Sequence, residues 1–128
     1  MFRILLPLLG LCMLPACSIS IQVGKSPQLK HVVVAWLKDH GNASQRRQLL
    51  DTGEKLKTIP GLRSLSMGEC LPSPRPIVDS TYDVAFIMTF RNAAAMQKYL
   101  THPLHEQAVR EVLKPLTKKI LIYDFVEP

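Results

Sequence analysis

The sequence has few cysteines and lacks the signature motifs of the common nucleotide-dependent and zinc-dependent enzymes. Only three of its 128 residues are cysteines, and two of them lie close to the amino terminus. No glycine-rich phosphate loop, GxSxG, HExxH or dinucleotide-binding fingerprint is present. Basic residues outnumber acidic ones by 16 to 10, but they are scattered and no nucleic-acid recognition motif accompanies them. We therefore expect neither a cofactor nor a nucleic-acid partner.

The amino-terminal apolar run is too short to span a bilayer and has the plan of a secretory signal peptide. Arg3 supplies a positive charge, and the run extends from residue 4 to residue 14. Leu14-Pro15-Ala16-Cys17 then resembles the bacterial lipoprotein box, in which a small residue directly precedes the cysteine that is lipidated. Residues 1–16 are thus predicted to be a lipoprotein signal peptide, and Cys17 is predicted to carry the lipid.

This resemblance implies a protein anchored at the periplasmic face of the outer membrane, because serine rather than aspartate follows Cys17. The alternative is ordinary export, in which residues 16–18 form a cleavage site and the mature protein is soluble in the periplasm. Cys70 is left without an intramolecular disulfide partner and is expected to be a buried, inert thiol in a strand. Residues 17–28 are poor core material and are predicted to form a tether.

Residues 29–128 are predicted to form one domain of alternating strands and helices. Apolar, β-branched runs predict strands at 29–38, 62–71, 82–90 and 119–126. Apolar periodicity predicts helices at about 45–58, at 93–100, and from the His102–Pro103 break to Pro115. Asn42 or Ser44 can cap the first of these helices, and Asn92 is expected to cap the second. The order β-α-β-β-α-β indicates an α+β, ferredoxin-like unit with helices on one face of a four-stranded antiparallel sheet.

The predicted strands are apolar on both faces, which a single helix layer cannot cover. In the first strand His31 and Val33 belong to one face, while Val32, Val34 and Trp36 belong to the other. Since a large apolar surface rarely stays exposed to water, the second face predicts an interface of substantial size. Two such sheets facing each other would bury both open faces, so we expect a homodimer.

Several short motifs resemble the stress-responsive dimeric α/β-barrel (Dabb) family. They are His31-Val-Val-Val, Ile59-Pro60-Gly61-Leu62, Tyr82-Asp-Val-Ala-Phe, Tyr99-Leu-Thr-His102-Pro103-Leu-His105 and Tyr123-Asp-Phe125. The resemblance runs from about residue 29 to residue 126 and implies ferredoxin-like units that pair sheet to sheet into a barrel. One enzymatic branch, a plant polyketide cyclase, performs an intramolecular aldol condensation with a histidine and a tyrosine. By the motif, those roles would fall on His105 and Tyr99, with His31 lining the same pocket.

The His/Tyr motif admits three interpretations. A histidine can remove a proton beside a carbonyl while a tyrosine hydroxyl holds the enolate oxygen, as aldol chemistry requires. Alternatively, His105 bonds a backbone group at its helix start and Tyr99 packs in the core. A metal site from His102, His105 and His31 is disfavoured by the intervening Pro103 and the lack of a matching carboxylate pattern, so no metal is expected. His40, in a turn, is expected to be solvated.

Apolar strands beside a polar His/Tyr cluster are also the usual makeup of a small-ligand pocket. The candidate lining residues are His31, Trp36, Phe86 and Met88, although strand aromatics are often plain core. The sequence therefore predicts a Dabb-domain envelope lipoprotein, homodimeric and binding a small apolar ligand. The alternatives are an acid–base enzyme that uses His105 and Tyr99, and a structural envelope dimer.

Overall fold

The computed structural model describes residues 27–128, which form one sheet with helices on one face. Its elements are β1 (Gln28–Leu37), α1 (Ala43–Leu56), β2 (Leu62–Glu69), β3 (Val84–Phe90), α2 (Ala93–Leu100), α3 (Pro103–Ala108), a π-helical segment (Val109–Leu113), α4 (Lys114–Leu116) and β4 (Thr117–Glu127). The predicted signal peptide, Cys17 and most of the predicted tether lie outside the described residues.

The sheet has the strand order β2-β3-β1-β4, and every neighbouring pair is antiparallel. This is the ferredoxin-like α+β unit predicted from the element order, and the fold class is confirmed. Residues directly opposite each other in such a sheet share a face. His31 of β1 therefore shares the helix-covered face with Met88 of β3 and Asp124 of β4.

Side-chain caps fix the helix starts, as the sequence predicts. The Asn42 side chain accepts a hydrogen bond from the Gln45 backbone N–H at 2.9 Å, and Asn92 does the same for Ala95 at 2.9 Å. Both satisfy a donor that the first helical turn leaves without a partner. These two caps orient α1 and α2 over the sheet.

The His102–Pro103 break is confirmed, but the helix that follows is less regular than predicted. His102 Nδ1 accepts a hydrogen bond from the Leu104 N–H at 3.2 Å, and Pro103 occupies the first helical position. The Lys114 N–H bonds to the Val109 carbonyl, one residue further back than in an α-helix. Pro115 does not end the helix, which continues to Leu116. Short π-helical segments of this kind are frequent at functional sites.

The hydrophobic core lies between the helices and the helix-covered face of the sheet. It is built from apolar residues of β1, β3, α1 and α2, with Ile59 after α1: Leu29, Val33, Ala35, Leu37, Leu49, Ile59, Val84, Phe86, Met88, Phe90 and Tyr99. Ile87, Tyr123 and Phe125 lie on the opposite, open face and are each about half exposed. The open apolar face expected from the strands is therefore present.

Cys70 corrects one expectation. It follows β2 rather than lying in it, and it is half-buried rather than buried. Its backbone N–H donates to the Asp83 carbonyl at 3.1 Å, after which the chain leaves the sheet. The chain returns at Val84, two residues later than predicted, because Tyr82 packs against Trp36 and the side chain of Asp83 turns to the β1–α1 loop.

Candidate functional site

Three polar side chains from three different elements line one apolar cavity between the sheet and the helices. His31 comes from β1, Tyr99 from α2 and His105 from α3, and the cavity has a volume of about 60 Å³. The remaining lining is almost entirely apolar: Val33, Leu49, Thr52, Gly53, Leu56, Leu65, Phe86, Met88, Ala108, Val109 and Leu113. A space of this size holds several water molecules or a few atoms of a ligand. The structure therefore brings together the three residues that the sequence motif singled out.

His31 is buried and held by a carboxylate from the last strand. Its Nδ1–H donates to Asp124 Oδ1 at 2.6 Å, a short distance typical of a charge-assisted hydrogen bond. In the neutral ring, a proton on Nδ1 leaves Nε2 as an acceptor. Asp124 was missed by the sequence analysis, because only the β1–β4 register places it opposite His31, 93 residues away along the chain.

His105 is held in the same tautomer by a backbone group. Its Nδ1–H donates to the Leu100 carbonyl at 2.9 Å, so Nε2 is again the acceptor in the neutral ring. Burial lowers the pKa of His105 below its usual value of 6.5; the bond to Leu100 opposes this shift, and the nearby His31 adds to it. His105 is therefore a neutral imidazole at neutral pH.

Tyr99 supplies the complementary donor. Burial raises the pKa of its phenol to about 12, so the hydroxyl keeps its proton throughout the physiological range. The hydroxyl donates to Met88 Sδ at 3.3 Å, and a thioether is a weak acceptor that a ligand oxygen would readily replace. The rings of Tyr99 and His105 are 4.8 Å apart between centroids, which places the donor beside the acceptor.

The candidate ligand-binding residues divide between the two faces of the sheet. His31, Phe86 and Met88 line the cavity, but Trp36 does not. Alternation along β1 puts Trp36 on the open face, where its Nε1–H donates to Thr81 Oγ1 at 2.8 Å. The assignment of Trp36 to the pocket is therefore corrected. His102 is also outside the cavity lining, and its ring caps α3 instead.

His105 bonds a backbone carbonyl and Tyr99 packs in the core, as expected if both residues have only a structural role. Both residues nevertheless face the cavity. Two imidazole acceptors and one phenol donor in an apolar enclosure can bind a carbonyl or hydroxyl group and can move a proton beside it.

Within residues 27–128, no three His, Cys, Asp or Glu side chains are grouped closely enough to hold a metal ion. No helix in the same range is long and apolar enough to cross a membrane.

A second buried polar group lies at the other end of β1 and was missed by the sequence analysis. Asp83 is 1% exposed, and its carboxylate accepts hydrogen bonds from the Leu37 N–H, the Gly41 N–H and His40 Nδ1–H at 2.9, 2.8 and 3.0 Å. Burial acts to raise the pKa of Asp83, but these hydrogen bonds outweigh it and hold the pKa below 3.8. His40 is therefore not merely solvated, although 55% of its side chain is exposed.

A four-stranded antiparallel sheet, open on one face and with a His/Tyr-lined cavity under its helices, defines a small α+β domain of the ferredoxin-like class. Residues 29–127 match the family model of the Stress responsive A/B Barrel Domain, abbreviated Dabb. The chain belongs to this family.

Several solved structures are similar to the chain. A Dabb family protein from Mesorhizobium loti is 29% identical, with 80% of this chain and 98% of that one covered and a TM-score of 0.66. A dimeric ferredoxin-like protein of unknown function from Thermobifida fusca is 20% identical, with coverages of 80% and 93% and a TM-score of 0.67. A hydroxynitrile lyase from Passiflora edulis is 17% identical, with coverages of 81% and 96% and a TM-score of 0.70. No curated protein matches the chain.

Proposed function

We propose that this Dabb-domain protein is a homodimer in which each subunit binds a small, mostly apolar molecule through a carbonyl or hydroxyl oxygen. The observation that carries the proposal is the convergence of His31, Tyr99 and His105 on one apolar cavity. The Tyr99 hydroxyl donates to the ligand oxygen in place of Met88 Sδ, and the imidazole Nε2 atoms accept from a ligand hydroxyl. The apolar walls contribute the hydrophobic part of the affinity.

A groove between α1 and α3 offers the route into this cavity. The groove has a volume of about 210 Å³ and shares Thr52, Leu56 and Ala108 with the cavity lining. The buried cavity alone accommodates only a few ligand atoms, so a larger ligand places its remaining atoms in the groove. Lys55 and Glu111 at the groove supply charged groups for that outer part.

Ligand binding is tested by titrating the protein with a panel of small ketones and alcohols, followed by two-dimensional NMR. We expect wild-type cross-peaks of the cavity residues to shift and Tyr99→Phe to weaken binding about tenfold, the value of one neutral hydrogen bond. Tyr123→Phe is the matched control, because it also removes a tyrosine hydroxyl, but one on the open face and outside the cavity lining. Equal affinities in all three proteins would contradict the assignment of Tyr99.

Acid–base catalysis at the same site is the second candidate. Both His31 and His105 donate from Nδ1, so each presents Nε2 as a base, and the Tyr99 phenol remains protonated to hold a developing oxyanion. The hydroxynitrile lyase from Passiflora edulis demonstrates that this fold supports an enzyme. The reaction class supported here is removal of a proton beside a carbonyl.

This catalytic candidate is tested by following deuterium uptake at the α-carbon of each bound ketone in D₂O. His105→Asn keeps a side-chain N–H that can reach the Leu100 carbonyl but has no titrating nitrogen. We expect exchange to fall at least tenfold in this variant while the ketone still binds. Exchange no faster than without protein would leave binding as the function.

The homodimer is supported by the open sheet face, on which Ile87, Tyr123 and Phe125 are about half exposed. Apolar patches of this kind mark interaction sites, and the similar protein from Thermobifida fusca is described as dimeric. Light scattering coupled to gel filtration should give twice the subunit mass at micromolar concentration. A monomer there would contradict the dimer, while a dimer that binds no small molecule would favour the structural role.

The location of this homodimer is the periplasmic face of the outer membrane, where the lipid on Cys17 anchors it. Support comes from residues 14–17, which resemble the lipoprotein box except at Pro15, and from the apolar run before them. Cys17→Ser should release the protein from membranes, whereas Cys12→Ser should leave it attached. A Cys17→Ser protein that stays with the membranes after a salt wash would contradict the anchor. A wild-type protein found free in the periplasm would instead favour ordinary export.

A further inference from the structure

The loop between β2 and β3, residues 70–83, folds back on itself to form a short projecting arm. The Ser73 N–H donates to Ser80 Oγ at 3.1 Å, and the Val78 N–H donates to the Arg75 carbonyl at 3.0 Å. These bonds close off a tip, residues 74–79, that contains two prolines. Proline fixes its own backbone angle, so little conformational freedom remains for the tip to lose on binding.

The base of this arm is fixed to the open face of the sheet. Thr81 Oγ1 accepts the Trp36 indole N–H at 2.8 Å, and the Tyr82 ring meets the Trp36 ring edge-on at 6.3 Å. Asp79 in turn holds Thr81, since its carboxylate accepts from the Thr81 N–H at 2.8 Å and from the Thr81 hydroxyl at 2.6 Å. These contacts, together with Lys119 Nζ at 4.3 Å from the ring centroid, leave Trp36 only 6% exposed, although it lies on the open face. The arm therefore starts at the margin of the exposed apolar face.

The arm carries the two most exposed large apolar residues in the part of the chain that the structure describes. Ile77 at the tip is 90% exposed and Leu71 at the base is 83% exposed. A single exposed apolar residue needs no explanation, but this pair is held on a stiffened loop whose base packs against Trp36, a residue of the open face. The arm thus adds exposed apolar surface at the Trp36 end of the open face.

We propose that residues 74–79 form a clasp that packs Ile77 against a second copy of this chain at the rim of the sheet-to-sheet contact. The inference rests on the proposed homodimer and specifies how its edge is made. In a two-fold dimer each subunit presents the same surface, so the clasp acts twice, once from each copy. Arg75 and Asp79 flank Ile77 as the polar rim that surrounds an apolar contact.

The test compares Ile77→Ser with Ile77→Val by measuring the dimer dissociation constant in sedimentation equilibrium. We expect Ile77→Ser to raise the constant about tenfold or more, because two copies of the apolar contact are lost in each dimer. Ile77→Val keeps most of the apolar surface and should raise it less than about threefold. The sole tryptophan, Trp36, gives a second readout, since its emission should change on dilution of the wild-type dimer.

The outcomes distinguish failure of the homodimer from failure of the clasp. A wild-type monomer overturns the homodimer itself. A wild-type dimer whose dissociation constant is unchanged in Ile77→Ser overturns the clasp and leaves the dimer intact. Equal weakening by serine and valine also overturns the clasp, since the apolar contact would not be the cause. Circular dichroism and the melting temperature of each diluted variant establish that the subunit fold is retained, as expected for a residue this exposed.

Discussion

Two polar clusters lie along β1, and they differ in how fully their hydrogen-bonding capacity is used. At one end, the Asp83 cluster consists of Asp83 and His40, with three N–H donors on one carboxylate. In the middle, the cavity cluster consists of His31, Tyr99 and His105, and each member directs one N–H or O–H to an acceptor within the described chain. In the first cluster the carboxylate is occupied by donors of the surrounding fold. The second cluster keeps imidazole nitrogens and a weakly bonded hydroxyl around a cavity.

The difference separates a structural role from the proposed ligand-binding role. The Asp83 carboxylate fastens the turn after β1, where Gly41 adopts a φ of +81° that favours glycine, to the start of β3. Three converging donors leave it little capacity for another molecule. The cavity cluster has such capacity, and its members come from separate elements that no turn requires to meet. Substitutions in the two clusters should therefore affect different measurements.

The largest effect is expected for Asp83→Ala. The substitution leaves the buried N–H of Leu37 and the part-buried N–H of Gly41 without their acceptor, which should lower the free energy of unfolding by about 3 kcal/mol. Urea denaturation measures this loss, and ketone affinity of the folded fraction should not change. Asp51→Ala, an exposed carboxylate on α1, is the control and should stay within about 0.5 kcal/mol. Similar losses in both variants would contradict the structural role of Asp83.

The stabilisation by Asp83 should also disappear in acid. Its pKa is held below 3.8 in the folded state, so unfolding takes up a proton and the stabilisation is present above pH 3.8. It is lost as the pH falls through the lower, folded-state pKa. In Asp83→Asn this component of the acid dependence should be absent.

Gly53→Ala should affect both stability and binding, because Gly53 lies where α1 approaches the sheet beside the cavity. An added Cβ would lie 2.5 Å from Met67 Sδ and 3.0 Å from Phe86 Cε1, so these side chains must move. We expect a loss of about 1–2 kcal/mol, since overpacking exceeds the gain in helix propensity. Ketone affinity should fall as well. Gly68→Ala, which has nothing within 4 Å of its added Cβ, should leave affinity unchanged.

Tyr99→Phe should weaken ligand binding and leave stability nearly unchanged, which is the opposite of the effect expected for Asp83→Ala. The hydroxyl that it removes donates only to Met88 sulfur among the described residues, so the free energy of unfolding should change by less than about 1 kcal/mol. The same variant is expected to lose ketone affinity. A loss of several kcal/mol by urea denaturation would show that Tyr99 belongs with the structural cluster.

The smallest expected effect is the pH dependence of stability that His105 contributes. Its pKa is below 6.5 in the folded protein, so between the folded-state pKa and 6.5 the unfolded chain binds more protons. Stability should therefore be complete above pH 6.5 and fall slightly as the pH drops below it. Denaturation at a series of pH values measures this slope, and His105→Asn should flatten it. A slope of opposite sign would mean that the fold stabilises the charged ring.

The parts of the fold that were predicted correctly depend on neighbours in sequence. The caps Asn42 and Asn92 act within three residues, and the break at His102–Pro103 follows from the geometry of proline. Alternation along β1 likewise separated His31 from Trp36. The order of the elements then restricted the topology to few arrangements.

The parts that were missed depend on pairs that only the folded chain brings together. Asp124 and Asp83 were visible as polar residues in or beside apolar strands, but nothing local identifies His31 and Leu37 as their partners. His40 was taken for a solvated turn residue for the same reason. The motif indicated that Tyr99 and His105 matter, whereas their common cavity depends on how α2 and α3 pack on the sheet.

The position of β1 has a consequence for how the protein acquires its site during folding. β1 pairs with β3 on one side and with β4 on the other, so the first strand of the domain receives its second neighbour only from the last. Such long-range pairing forms slowly, because the entropy cost of closing a long loop must be met before the strand contacts can stabilise the fold. A nascent chain that stops before Thr117 already contains His31, Tyr99 and His105, but it lacks the carboxylate that orients His31. Ligand binding should therefore report completion of the fold.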